Sequence, residues 1–193
     1  FGVGTVANAQ IRAAVAANPG IGRGMATVNP LVFECNDGYL NDIQALAVQE
    51  SHYADALAAA DKHPAQGAVG AGRGMSCFSF KGGIGSASRV ATIQPDQRYT
   101  VGALVLSNFG RLPNLIVAGR PFGRRLAGQL EGNLAQAGEN AAIVPEKGSI
   151  ILLVATDAPL DARQLRRLSL RAGAGLARTC LLYTSDAADD SLR

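Results

Sequence analysis

Hydrophobic and polar positions alternate with two different periods along this chain, and the periods divide it into helices and strands. Val6, Ala9, Ala13 and Ala16 recur near helical spacing, so a helix is predicted over 5–17, stopped by Asn18-Pro19-Gly20. The short apolar run 31–35 predicts a buried strand, and Asn36-Asp37-Gly38 behind it is a turn signal. Ile43, Leu46, Ala47, Ala54 and Leu57 put a helix over 40–61, ended by His63-Pro64. Strands are predicted over 99–106 and, more weakly patterned, 112–117, and a helix over 124–136 despite Gly128 and Gly132. The run 149–156 is apolar almost throughout, the pattern of a central strand buried on both faces. Asp161 then caps a helix from 162 to about 176, with Leu165, Leu168 and Ala172 inward and Arg163, Arg166, Arg167 and Arg171 outward. Irregular alternation of strands and helices favours an α+β layered fold over a strict βαβ repeat.

Composition narrows the partners. A formal net charge of +3, spread over 193 residues without a polybasic stripe, gives no reason to expect nucleic acid. The longest apolar run, 150–155, is far short of a membrane span, so no membrane partner is expected. Three widely spaced cysteines, Cys35, Cys77 and Cys180, make neither a disulfide framework nor a zinc pair, and no metal or cofactor is expected. The compartment stays open, since no signal-peptide pattern begins the chain and residue 1 is Phe. Both ends read as cuts: the chain opens inside an apolar element, and the stretch from Cys180 resembles a translated sequencing adapter. The expected organisation is a partial domain over 1–179 and a non-native tail over 180–193.

Several motifs are weighed and set aside. Gly2-x-Gly4-x-x-Ala7 lacks the preceding strand and following acid of a dinucleotide fingerprint, so it reads as a helix entry. The glycine cluster 67–85 holds no Gly-Lys-[Ser/Thr], which rules out a Walker loop; a substrate-facing loop or a tight strand crossing fits better. His52 and His63 have no second ligand at metal spacing and read as solvent-facing. Cys35 and Cys77, in apolar surroundings, read as small buried thiols.

Gly148-Ser149 is different, because it stands at the very start of an apolar strand. An N→O acyl shift followed by hydrolysis there would free the α-amine of Ser149. That amine titrates near ~8 and can serve as general base for its own hydroxyl. Such chemistry needs no histidine. Taken alone the pattern is weak, because Gly-Ser before a strand is common and is usually just a turn.

The segments around it add a resemblance. Asn36-Asp37-Gly38-Tyr39-Leu40-Asn41-Asp42 comes first, then the glycine-rich run 67–89, then the strand ending in Ser107-Asn108-Phe109-Gly110. Gly148-Ser149 and Ala155-Thr156-Asp157-Ala158-Pro159-Leu160 follow. In this order they resemble the β-peptidyl aminopeptidase / L-aminopeptidase D-Ala-esterase/amidase family, from about residue 3 to residue 179. The resemblance implies an αββα sandwich similar to the N-terminal nucleophile hydrolases, incomplete here. It also implies self-cleavage between Gly148 and Ser149, with Ser149 as nucleophile and Asn108 and Tyr39 holding the oxyanion. Glu34 would receive the substrate's free ammonium, with Asp37 as second choice. Expected partners are small peptides, amides or esters with a free amino group, and a homo-oligomer of processed chains. Family members carry a further serine and acidic residue downstream, which this chain lacks before its tail. Two other readings stay open: an arginine-biosynthetic (ornithine) acetyltransferase of similar architecture, disfavoured because those enzymes use threonine, and a non-catalytic glycine-rich assembly module.

Overall fold

A computed structural model of the chain describes residues 2–134 and 148–179. Its centre is a three-stranded antiparallel sheet of β3 (Gly83–Gln94), β4 (Gln97–Asn108) and β5 (Ser149–Thr156), with β4 in the middle. A two-stranded ribbon, β1 (Ser76–Cys77) and β2 (Phe80–Lys81), precedes them. Four helices complete the description: α1 (Val3–Ala17), α2 (Glu50–Ala58), α3 (Phe122–Leu134) and α4 (Ala162–Leu176). This is an α+β arrangement, as expected, and the described residues contribute one layer of sheet to it.

Strand alternation gives the sheet two unlike faces. Val105, Ala103, Ile150 and Leu152 point toward α4 and the 115–119 segment, around a cavity of about 1120 Å³. Leu106 and Ile151 point the other way and pack with Ile84, Cys35 and Met75, the last only 1% exposed. The register Asn108↔Ser149 puts these two residues side by side on that second face, at the end of the sheet.

α4 forms where the sequence placed it. The Asp161 carboxylate accepts from the Gln164 N–H at 2.7 Å, while the Gln164 side chain accepts from the Asp161 N–H at 2.8 Å, a reciprocal cap. α1 begins two residues before the predicted start and packs on α2, with Asn8 donating to Glu50 at 3.3 Å.

Other expectations need correction. Residues 31–35 form no strand: the Leu31 N–H donates to the Gln10 side chain at 3.1 Å, and the segment crosses the sheet face without joining a ladder. The single helix over 40–61 is broken into a short 3-10 turn, Ile43–Ala45, and α2. Leu46 takes a left-handed conformation with φ 47°, and a reciprocal Gln49–His52 cap starts a new helix. The weak strand at 112–117 is a 3-10 turn over Leu112–Asn114, because Pro113 has no N–H to give a ladder. β5 is not the central strand of the described sheet, and Leu153 remains 45% exposed. β3 was not predicted at all. The end of the helix expected to reach 136, and the tail from 180, lie outside the described residues.

Candidate active site

Three stretches of chain meet at the end of the sheet. β5 starts with Ser149, β4 ends with Asn108, and the 35–37 segment lies across both. The Asn108 side-chain amide donates to Ser149 Oγ at 3.0 Å and to the Asn36 carbonyl at 2.7 Å. Its Oδ1 accepts from the Ser76 N–H at 3.0 Å. An amide end that faces only acceptors must be the nitrogen, and one that faces only a donor must be the oxygen. Asn36 O and Ser76 N–H therefore fix which end of Asn108 points at the serine.

Beneath the pair sits Cys35, 8% exposed, with its thiol 4.0 Å from the Leu106 carbonyl. Burial pushes the thiol pKa up; a hydrogen bond with Ser149 opposes this, and the charge of Glu34 adds to it. Ser149 Oγ thus accepts from the Asn108 amide and lies near the Cys35 thiol. Glu34 is exposed and near enough for its charge to be felt at this thiol.

Gly148 precedes the serine in an unusually tight place. A β-carbon added there would lie 2.7 Å from Phe109 Cβ and 3.0 Å from Phe109 Cα, so only glycine fits without displacement. Phe109 is itself fixed: its carbonyl accepts from the Phe78 N–H at 3.0 Å, and the two rings meet edge to face at 5.1 Å. Phe78 and Ser79 both have positive φ, 52° and 65°, forming the two-residue turn between β1 and β2. That conformation costs about 1–2 kcal/mol per non-glycine residue, and strain of this kind gathers at functional sites.

The other candidates fall differently. The Asp37 carboxylate accepts from the Asn41 side chain at 2.7 Å and is spent on its own turn. Tyr39 is 85% exposed, and among the described residues no hydrogen bond joins its hydroxyl to Ser149. The structure brings Ser149, Asn108 and Gly148 together, keeps Glu34 exposed within electrostatic reach of Cys35, and leaves the Tyr39 phenol in solvent. Sequence reasoning missed Cys35, the Asn36 carbonyl and the Ser76 N–H; the last two are backbone groups with no residue-type signal. The cavity under α4 lies on the sheet face opposite Ser149 and is not this site. Among the described residues no cluster of His, Cys, Asp or Glu could hold a metal, and no helix is long and apolar enough to cross a membrane.

A serine opening a β-strand, paired with an amide donor and preceded by a sterically required glycine, sits on an α+β frame. The class so defined is an α+β fold similar to the variant Ntn hydrolase fold. The chain belongs to Peptidase family S58, whose sequence model matches residues 1–190. It is 47% identical over 158 residues to beta-peptidyl aminopeptidase BapA of Sphingosinicella microcystinivorans, covering 79% of this chain and 40% of that protein. Its fold is similar to that of the Burkholderia sp. beta-aminopeptidase, with TM-score 0.75 and 41% identity over 93% of this chain and 46% of that one. It is also similar to the L-aminopeptidase D-Ala-esterase/amidase of Ochrobactrum anthropi, a serine aminopeptidase with a variant Ntn hydrolase fold. That match has TM-score 0.76 and 34% identity over 94% of this chain and 47% of that one. The chain thus spans less than half the length of these relatives.

Proposed function

We propose that this chain carries the cleavage site and nucleophile of a self-processing serine aminopeptidase. The observation that carries the reading is the 3.0 Å hydrogen bond between the Asn108 amide and Ser149 Oγ across adjacent strand ends. In processing, Ser149 Oγ attacks the Gly148 carbonyl carbon, the peptide C–N bond breaks, and the resulting ester is hydrolysed. The α-amine of Ser149, now free, takes the proton from its own hydroxyl as that hydroxyl attacks the next substrate. The Asn108 amide donates to the oxyanion that forms. Glu34 receives the substrate's ammonium and so selects peptides, amides or esters with a free amino terminus. It is preferred over Asp37, whose carboxylate is already bonded to Asn41. Tyr39, the second oxyanion candidate, is 85% exposed and makes no hydrogen bond to Ser149 among the described residues, so Asn108 carries the larger share. Processed chains would assemble as a homo-oligomer.

Denaturing mass spectrometry on the full-length protein tests this. Two fragments separating at Gly148–Ser149, together with an intact, inactive Ser149→Ala variant, are the expected result. One uncleaved mass, or turnover that survives Ser149→Ala, overturns it.

A further inference from the structure

Lys81 is an exposed residue on β2 whose charged head turns inward. A lysine on a surface normally lays its stem along the protein and leaves its ammonium in water. Here Nζ donates to three backbone carbonyls: Gly72 at 2.6 Å, Gly82 at 2.8 Å and Met75 at 3.1 Å. Three N–H bonds are all an ammonium has, so every donor is used on the backbone. Among the described residues no carboxylate is paired with it. Hydrogen bonds from a charged donor are roughly twice as strong as neutral ones, which makes this a firm clamp on the loop, added to the packing of Met75 and Phe78.

The clamped loop has one bond to the Ser149 site. Ser76, next to Met75, gives its N–H to Asn108 Oδ1 at 3.0 Å. The loop also closes on itself and on β4: the Gly82 N–H donates to the Met75 carbonyl at 2.8 Å, and a β-carbon at Gly82 would lie 2.5 Å from the Ser107 carbonyl. A primary amide is nearly symmetric in shape, so its orientation is set by its partners. Without the Ser76 N–H at its place, one of the constraints that keep Asn108 Nδ2 toward Ser149 is gone. The flipped amide would present an oxygen lone pair to the developing oxyanion and repel it.

We propose that Lys81 is a positioning residue for the Ser149 site: by holding the 72–82 loop it places the Ser76 N–H that, with the Asn36 carbonyl, sets which end of the Asn108 amide faces the nucleophile. The inference rests on the serine aminopeptidase reading above. What separates Lys81 from a general stabiliser is the route it requires: its effect on kcat must pass through Asn108.

The experiment compares wild type, Lys81→Met, Lys81→Arg, Asn108→Ala and the Lys81→Met/Asn108→Ala double variant of the full-length protein. Self-cleavage at Gly148–Ser149, kcat and KM on an aminoacyl p-nitroanilide, and a thermal melt are measured for each. Lys81→Met is expected to lower kcat at least tenfold with KM within twofold. Lys81→Arg keeps the charge, but its planar fork cannot converge on three carbonyls from one nitrogen, so kcat falls by a smaller factor at an unchanged Tm. In the Asn108→Ala background, Lys81→Met is expected to change kcat no further. A folded Lys81→Met or Lys81→Arg variant with wild-type kcat overturns the inference, as do losses that multiply in the double variant. Failure of both lysine variants to fold also overturns it, by making Lys81 a general stabiliser. A wild type that neither cleaves nor turns over substrate sinks the aminopeptidase reading itself, and this inference with it.

Discussion

The two ends of the β3–β4 hairpin are built from the same ladder and are held quite differently. At the end bearing Asn108, side chains bond to backbone: Asn108 reaches the Asn36 carbonyl and the Ser76 N–H, and Lys81 reaches three carbonyls. Met75 and Leu106 there are 1% and 5% exposed. At the turn end, the last residues of β3 are all exposed, with Val90 at 54% and Ile93 at 66%, and the register slips between Thr92 and Gln94. A strand ladder alone tolerates that irregularity. Fixing a hydroxyl against an amide does not come from the ladder: at the Asn108 end the extra side-chain bonds combine with burial, whereas those nearer the turn, from Thr156 Oγ1 to the Thr100 carbonyl at 2.7 Å and from the Thr100 N–H to Asp157 at 2.6 Å, lie on exposed strand.

The sharpest way to break the contrast is at Asn108. Asn108→Ala removes the donor to Ser149 and leaves the Asn36 carbonyl and the Ser76 N–H without their present partner. Loss of a single oxyanion donor lowers kcat by about 10²–10³-fold, and that is the expected result in steady-state kinetics on the full-length protein. Stability should also fall, by about 1–3 kcal/mol for a polar group left unpaired. Asn108→Asp retains the acceptor for Ser76 but not the donor, so it should recover part of the stability and little of the rate. A variant at this position with unchanged kcat would show that the amide is only a strand end.

Gly148 is the next test. Gly148→Ala brings a methyl within 2.7 Å of Phe109 Cβ, well inside contact distance, so one of the two chains must move. Self-cleavage is expected to slow by about tenfold, equivalent to ~1.4 kcal/mol in the barrier, as followed by gel or mass spectrometry over time. The closest clash is with the Phe109 β-carbon, and the 3.0 Å approach to its α-carbon remains, so adding Phe109→Gly to Gly148→Ala should restore part of the rate. Adding Phe109→Ala, which keeps that carbon, should not.

What could be read from sequence follows the same division. α4 and the apolar run at β5 were legible because a capping residue and a local period announce them, and Gly148-Ser149 stood out by its place before that run. β3 was invisible: Gly83, Gly85, Ser86, Ala87 and Ser88 carry no apolar alternation, and their strand exists because β4 pairs with them. The 31–35 run misled in the opposite sense: it joins no ladder, Leu31 and Phe33 stay exposed, and only Cys35 packs on the sheet face. Within the candidate site, Ser149 was marked by its place before the strand, while Asn108 and Tyr39 were both carried over by resemblance; the structure sets Asn108 beside Ser149 and leaves Tyr39 in solvent. Cys35 was read as a buried thiol, and its contact with Ser149 depends on how the 35–37 segment crosses the sheet, which no local pattern encodes.

Cys35 gives a smaller, pH-dependent effect. Its thiol pKa is raised, chiefly by burial, so the folded chain holds this proton to higher pH than the unfolded chain does. The resulting stabilisation is complete below the ordinary thiol value and is lost as pH rises through the folded value. Chemical denaturation across the alkaline range should therefore show a stability decrease that is absent in Cys35→Ala. Iodoacetamide labelling followed by peptide mapping should find Cys35 slower than the half-buried Cys77 at pH 8, since both accessibility and thiolate fraction are reduced at Cys35. Equal labelling of the two would mean that the 35–37 segment does not rest on the sheet end.

The smallest effect belongs to the other end of the hairpin. Ile93 is 66% exposed and lies inside the register irregularity, so Ile93→Thr keeps a β-branched side chain on the strand while removing little buried surface. Surface substitutions of this kind stay within about 0.5 kcal/mol, and kcat, KM and the rate of self-cleavage should all match wild type. The measurement is a denaturant melt paired with steady-state kinetics on the same preparation. A loss of several kcal/mol would mean that the turn end is packed as firmly as the site end; a kinetic change without one would mean that the ladder transmits the turn's geometry to Asn108. Either result would remove the reason for assigning the order at Ser149 to the side-chain bonds around it.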